Sequence, residues 1–135
     1  MKALVVDDDS ITRMILQNIL SVYAEVHSCV DGKEAVKEHK TALDRGEPYD
    51  LVCMDVLMPV MGGIEALRII RREEECCGRI RPQATKVVIT TAADDHDTIR
   101  QAFRELCDAY VVKPIDAGRL IDVVQCLFPI EGHSV

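Results

Sequence analysis

No run of residues in this chain approaches the roughly 18 consecutive apolar positions that a membrane-spanning helix needs. Its opening, Met1-Lys2-Ala3, leads straight into a strand-like segment with no cleavable leader pattern. Positive charge is also scarce: 16 Lys and Arg against 23 Asp and Glu give a net charge of -7, which disfavours a direct binder of nucleic-acid phosphates. The one basic cluster, Arg79 to Arg81, follows an acidic run from Glu73 to Glu75. The six cysteines, Cys29, Cys53, Cys76, Cys77, Cys107 and Cys126, form no CxxC pair and stand at no zinc-ligand spacing from a histidine. They read as small core hydrophobes, with the adjacent Cys76-Cys77 as the one exposed, oxidisable pair. Linkers, repeats and low-complexity tracts are missing too. These absences imply a cytoplasmic domain with neither a membrane nor a nucleic acid as direct partner.

What is present suits one packed domain: 135 residues, 48% of them hydrophobic and 29% charged. Five short apolar runs, Ala3 to Val6, Glu25 to Cys29, Leu51 to Met54, Lys86 to Thr90 and Ala109 to Val112, have strand length. Four are continuous, as in a parallel sheet covered on both faces, while "EVHSCV" alternates and suits a sheet edge. Segments of helical period lie between them. In "SITRMILQNILSVY" the residues Ile11, Met14, Ile15, Ile19 and Val22 form one stripe, with Ser10 as the N-cap. Strand and helix alternate five times, which predicts an α/β fold: a doubly wound, five-stranded parallel sheet with five helices. Residues 1–128 make the domain, and 129–135 a short polar tail.

In such sheets ligands bind beyond the carboxyl ends of the strands. There the sequence places Asp7, Asp8 and Asp9 after the first strand, Asp55 at the end of the third, Thr90 and Thr91 after the fourth and Lys113 after the fifth. Gathered carboxylates repel and need a compensating cation. Magnesium, or manganese in its place, suits an all-oxygen set that leaves room for a phosphate. Asp55 could then attack phosphorus as a carboxylate nucleophile while Lys113 neutralises the transferred group. Each residue alone has a plain structural role, as a cap, a satisfied strand hydroxyl or a solvated lysine; all of them in one pattern do not.

With "LVVDDD" at Leu4 to Asp9, "MDVLMPVMGG" at Met54 to Gly63, "VVITTA" at Val87 to Ala92 and "YVVKP" at Tyr110 to Pro114, the chain resembles a stand-alone, chemotaxis-type response-regulator receiver domain of flavodoxin-like fold. The likeness runs from Lys2 to Leu127. It implies a single-domain response regulator of a two-component system or phosphorelay, which takes a phosphoryl group from a histidine kinase or phosphotransfer protein. Asp55 matches the phospho-acceptor, Asp8 the direct metal ligand and Asp7 the acid that reaches the metal through water. The Leu57 backbone carbonyl matches the third protein ligand. Thr91, rather than Thr90, matches the phosphate-contacting hydroxyl, Tyr110 the aromatic switch and Lys113 the phosphate-contacting lysine, with a cis bond to Pro114. Signalling would then pass through the face of helix 4, strand 5 and helix 5 to an unidentified output protein, from a monomer or a phosphorylation-dependent dimer. The chain would be no turnover enzyme, though it would assist its own phosphorylation and dephosphorylation.

Two departures from the family pattern bear on behaviour. Glu105-Leu106-Cys107 replaces a glycine-bearing turn before the fifth strand, and the connection around Cys76 to Gln83 is longer than in short relatives. Leu57 and Ala93 border the path of a water attacking the phosphoryl group, and neither can orient it, so unaided dephosphorylation is expected to be slow. Two rival readings are a pseudo-receiver that binds partners without phosphorylation, and a magnesium-dependent phosphohydrolase of the haloacid-dehalogenase type. The second needs an acid two residues after its nucleophile, where Leu57 stands.

Overall fold

Strand and helix alternate along the chain in the computed structural model, which describes residues 1–80, 82–92 and 95–129. The strands are β1 (Lys2–Val6), β2 (Glu25–Cys29), β3 (Leu51–Asp55), β4 (Lys86–Thr91) and β5 (Ala109–Val112). The helices are α1 (Ser10–Leu20), α2 (Gly32–Asp44), α3 (Gly63–Cys76), α4 (His96–Arg104) and α5 (Ala117–Leu127). Every pairing is parallel and the order across the sheet is β2-β1-β3-β4-β5, so the expected doubly wound sheet with five helices is present. Among the described residues no helix is long and apolar enough to cross a membrane. Arg81 of the basic cluster, Ala93 and the tail beyond Pro129 lie outside the described residues.

Strand alternation divides the core in two. Val52 and Met54 of β3, with Val87 and Ile89 of β4, pack with α2, α3 and Ala102 of α4. Their neighbours Leu51, Cys53 and Val88 pack with Leu16 and Leu20 of α1 and with Leu120, Val123 and Val124 of α5. The alternating strand β2 lies at one edge, as its pattern predicts. At the other edge β5 is continuous in sequence yet only Val111 of it is buried, because α4 and α5 cover it incompletely.

Helix α1 corrects two expectations. Its N-cap is Asp9, not Ser10: the Asp9 side chain accepts from the Ile11 N–H and from the Thr12 hydroxyl. A carboxylate reaching two donors outcompetes the neighbouring serine. The face turned to the sheet carries Leu16 and Leu20, whereas Ile11 (61% exposed), Met14 (53%), Ile15 (40%) and Val22 (78%) face outward. The helix is apolar around most of its circumference, so period alone does not choose which stripe packs. Cysteine exposure differs as well: Cys126 is exposed along with Cys76 and Cys77, because it falls on the outer face of α5.

The start of α3 is set by close approach rather than by a polar cap. Gly62 offers no side-chain hydrogen bond, and a Cβ on Gly63 would lie 2.3 Å from the backbone oxygen of Asp55. Only a residue without a side chain lets α3 begin directly against the end of β3. A Gly63→Ala variant is expected to lose about 3 kcal/mol of stability through this overlap, read as a fall in the urea midpoint. A midpoint equal to wild type would show that the backbone yields freely there.

Candidate functional site

The carboxyl ends of β1 and β3 flank the point where strand order reverses, and the acids gather there. Asp7 is fully buried, Asp55 is nearly so, and Asp8 is exposed at the rim. One carboxylate oxygen from each of the three lies within 4.8 Å of the others. Lys113 reaches in from the end of β5, its Nζ 3.0 Å from Asp55 Oδ2 and 3.0 Å from Asp7 Oδ2. The contact with Asp55 is a hydrogen bond; Asp7 Oδ2 is paired by charge alone and accepts no hydrogen bond. The other Asp7 oxygen accepts from the Asp9 N–H at 2.9 Å.

Three carboxylates against one ammonium leave net negative charge in a partly dry pocket. Burial pushes the Asp55 carboxyl up from its ordinary value, and Lys113 offsets only part of that shift. Burial alone would lower the Lys113 ammonium, but the carboxylates of Asp7 and Asp55 beside it hold it above the usual lysine value. Asp7 Oδ2, which has the Lys113 charge but no hydrogen bond, fits with the two further acids the all-oxygen donor set of a hard divalent cation. Asp9 belongs to the helix cap and stands outside this set.

The loop from Asp55 to α3 closes the pocket from one side. The Leu57 backbone N–H offsets a small part of the upward push that burial gives the Asp55 carboxyl, while the Leu57 side chain is 76% exposed. Val60 takes a left-handed φ of 68°, a costly conformation for a β-branched residue. The loop is held by the Gly32 N–H donating to the Met61 carbonyl and the Gly63 N–H donating to that of Val56, both at 2.9 Å.

Both threonines of β4 are buried, and alternation separates them. Thr90 is the partner of Asp55 across the β3–β4 pair, and its hydroxyl has no hydrogen-bond partner among the described residues. Thr91 shares its face with Ile89, the residue paired with Tyr110, and its carbonyl accepts from the Lys113 N–H at 2.8 Å. Thr91 and Tyr110 therefore look toward the α4 side. The Tyr110 ring stands edge-on to Phe103 of α4, centroids 6.2 Å apart. The Lys113-Pro114 bond is cis. The structure thus brings Asp7, Asp8, Asp55 and Lys113 to one pocket, with Leu57 beside it, and places Thr91 and Tyr110 on a shared face of the sheet. One group escaped the motif reading: Arg13, on the first turn of α1, donates to the Asp7 carbonyl at 2.7 Å. Its position one helical turn beyond the Asp9 cap is the signal that could have found it.

Comparison with known proteins bears on the same residues. The family model described as the response regulator receiver domain matches residues 3–125. The chain is 29% identical over 125 residues to the chemotaxis protein CheY of Thermotoga maritima, covering 91% of this chain and 93% of that one. It is 32% identical over 133 residues to hybrid signal transduction histidine kinase G of Dictyostelium discoideum, covering 96% of this chain but 4% of that protein. Several curated relatives are such long kinases, of which the chain spans less than a fifth. Among solved structures, the Saccharomyces cerevisiae receiver domain of Ssk1, crystallised with the histidine phosphotransfer protein Ypd1, superposes with a TM-score of 0.81 at 26% identity, covering 98% of this chain and 94% of that one. The chain belongs to the response regulator receiver domain family, the receiver domains of two-component signalling.

Proposed function

We propose that this receiver accepts a phosphoryl group on Asp55 from a phosphohistidine donor and signals by a change in its α4–β5–α5 face. The observation that carries the reading is the single lysine bridging two buried carboxylates, Asp7 and Asp55, beside a third acid at the rim. An Asp55 oxygen attacks phosphorus in line; the P–N bond of the donor breaks, its electron pair stays on the imidazole nitrogen, and an acyl phosphate forms. Lys113 is placed to neutralise charge on the transferred oxygens, and Thr91 to donate its hydroxyl to one of them. Asp8, Asp55 and the Leu57 carbonyl, with Asp7 through water, would hold magnesium or manganese, which supplies Lewis-acid neutralisation of the phosphoryl oxygens. Tyr110 then responds on the face it shares with Thr91.

The outward stripe Ile11, Met14 and Ile15 of α1 suits an apolar helical donor. A histidine phosphotransfer protein, the kind of partner crystallised with the Ssk1 receiver, is consistent with it. Downstream, the domain acts as a phosphorelay or adaptor module through protein contact, as a monomer or as a phosphorylation-dependent dimer. It is not a turnover enzyme.

Incubation with acetyl phosphate and magnesium is expected to add one phosphoryl mass to the intact protein, and a chelator to prevent it. Because the Leu57 side chain cannot hydrogen-bond a water, the adduct should persist for minutes after the donor is removed; decay in seconds would contradict that role. No adduct would favour the pseudo-receiver, and turnover of a small phosphoester would favour the phosphohydrolase.

A further inference from the structure

At the pole of the sheet opposite the acidic pocket, Arg71 of α3 is almost wholly buried, with a side chain 10% exposed. Every N–H of its guanidinium is used. Nε and Nη2 donate to the Leu106 carbonyl at 3.0 and 2.8 Å, and Nη2 donates to Asp108 at 2.9 Å. Nη1 donates to Glu74 at 2.7 Å and to the Thr85 carbonyl at 2.6 Å. The fork's principal target is an unusual one. Leu106 has a φ of 71° and a half-exposed side chain, so its own packing does not account for a backbone that favours glycine.

The turn that Leu106 makes leads directly into β5. Asp108 also accepts from the Val87 N–H at 2.8 Å, which fixes where β5 joins β4, and Tyr110 follows two residues later. At its far end β5 runs into Lys113, held by Asp7 and Asp55. An edge strand paired, among the described residues, only with β4 is therefore tethered at both ends by ion pairs. The tether at Lys113 is the one that a phosphoryl group would compete for.

We infer that Arg71 is a positioning residue for the switch: by clamping the left-handed Leu106 carbonyl it fixes the start of β5, and with it the resting position of Tyr110. This rests on the reading of Tyr110 as the reporter of phosphorylation. Loss of the fork lets the Leu106 turn relax toward an ordinary backbone, so Tyr110 samples a second position without any phosphate. Glycine at 106 removes the reason for the clamp.

The chain has three tyrosines and no tryptophan, so 3-fluorotyrosine labelling gives one fluorine resonance each for Tyr23, Tyr49 and Tyr110. The wild type is expected to show a single resting Tyr110 signal that moves with beryllofluoride and magnesium. Arg71→Lys keeps the charge but loses the fork. It should raise a second resting Tyr110 signal, too weak to see in the wild type, about tenfold while Tyr23 and Tyr49 stay put. Adding Leu106→Gly to Arg71→Lys should restore the single signal, and Leu106→Gly alone should leave it unchanged. An Arg71→Lys protein with a wild-type Tyr110 signal, or one that Leu106→Gly fails to restore, would reduce Arg71 to a brace between α3 and β4. If Arg71→Lys does not fold, recovery of both fold and signal in the double variant supports the clamp, and failure of both variants overturns it. A wild-type Tyr110 signal that ignores bound beryllofluoride would refute the switch reading, while the resting-state comparison still decides the role of Arg71.

Discussion

Asp55→Asn is expected to take up no phosphate from acetyl phosphate and magnesium, while the wild type gains one phosphoryl mass. The amide keeps the size of the carboxylate and can still contact Lys113, but it lacks the nucleophilic oxygen pair, so the loss should be complete. The same variant should be more stable than wild type in chelator at neutral pH. Burial raises the Asp55 carboxyl, so the folded state holds its proton more tightly than the unfolded chain does. Stability therefore declines as pH rises through that group's titration, and above it the ionised carboxylate is a burden that asparagine removes. Intact mass and a thermal melt in chelator test the two halves separately. Equal labelling of both proteins would move the acceptor elsewhere. A variant that melts below wild type would show that the Lys113 pair outweighs burial.

Glu74→Ala is expected to be the most damaging single truncation in the core, costing about 3–5 kcal/mol because it takes one of two carboxylates from the buried Arg71 and leaves the buried Thr85 N–H without its acceptor. Glu74 is 1% exposed. One of its oxygens accepts from Arg71 at 2.7 Å, the other from the Thr85 N–H at 2.7 Å, and the ring of fully buried His39 stands 3.7 Å away. Burial by itself would raise the Glu74 carboxyl, but His39, the Thr85 N–H and Arg71 overcome it and hold the group at about 2. A carboxyl depressed on folding stabilises fully above its unfolded value of 4.5, and that contribution drains away as pH falls toward about 2. Urea denaturation at neutral pH should show the full deficit of the variant. At pH 3 the gap should narrow, because the wild type is by then losing what the variant never had. A gap that stays constant with pH would mean that Glu74 acts by packing alone.

The fold was legible because its strands are short continuous apolar runs separated by helical periods, and the acids follow strands at the one point where a doubly wound sheet leaves a crevice. Asp7, Asp8, Asp55 and Lys113 could be placed there from strand ends alone. What sequence could not supply was the choice among near-equivalent local options. Asp9 caps α1 in place of Ser10 because its carboxylate meets two donors at once. Leu16 and Leu20 face the core, and of the expected stripe Ile19 packs beside them while Ile11, Met14 and Ile15 do not, because apolar residues cover more of the helix than one sheet-facing side. The network of Arg71, Glu74, Thr85 and Asp108 joins residues up to 37 positions apart, which no local pattern encodes. The missing glycine at Leu106 was visible as an oddity, but its clamp was not.

The division of the core into two halves has a consequence for how a message would travel. Asp55 and Thr90 lie on the side of α1, where a donor would arrive; Thr91 and Tyr110 lie on the side of α4, where an output protein would listen. The acid and the aromatic ring are thus turned to opposite faces of one sheet, and the step from Thr90 to Thr91 joins those faces through a single peptide link.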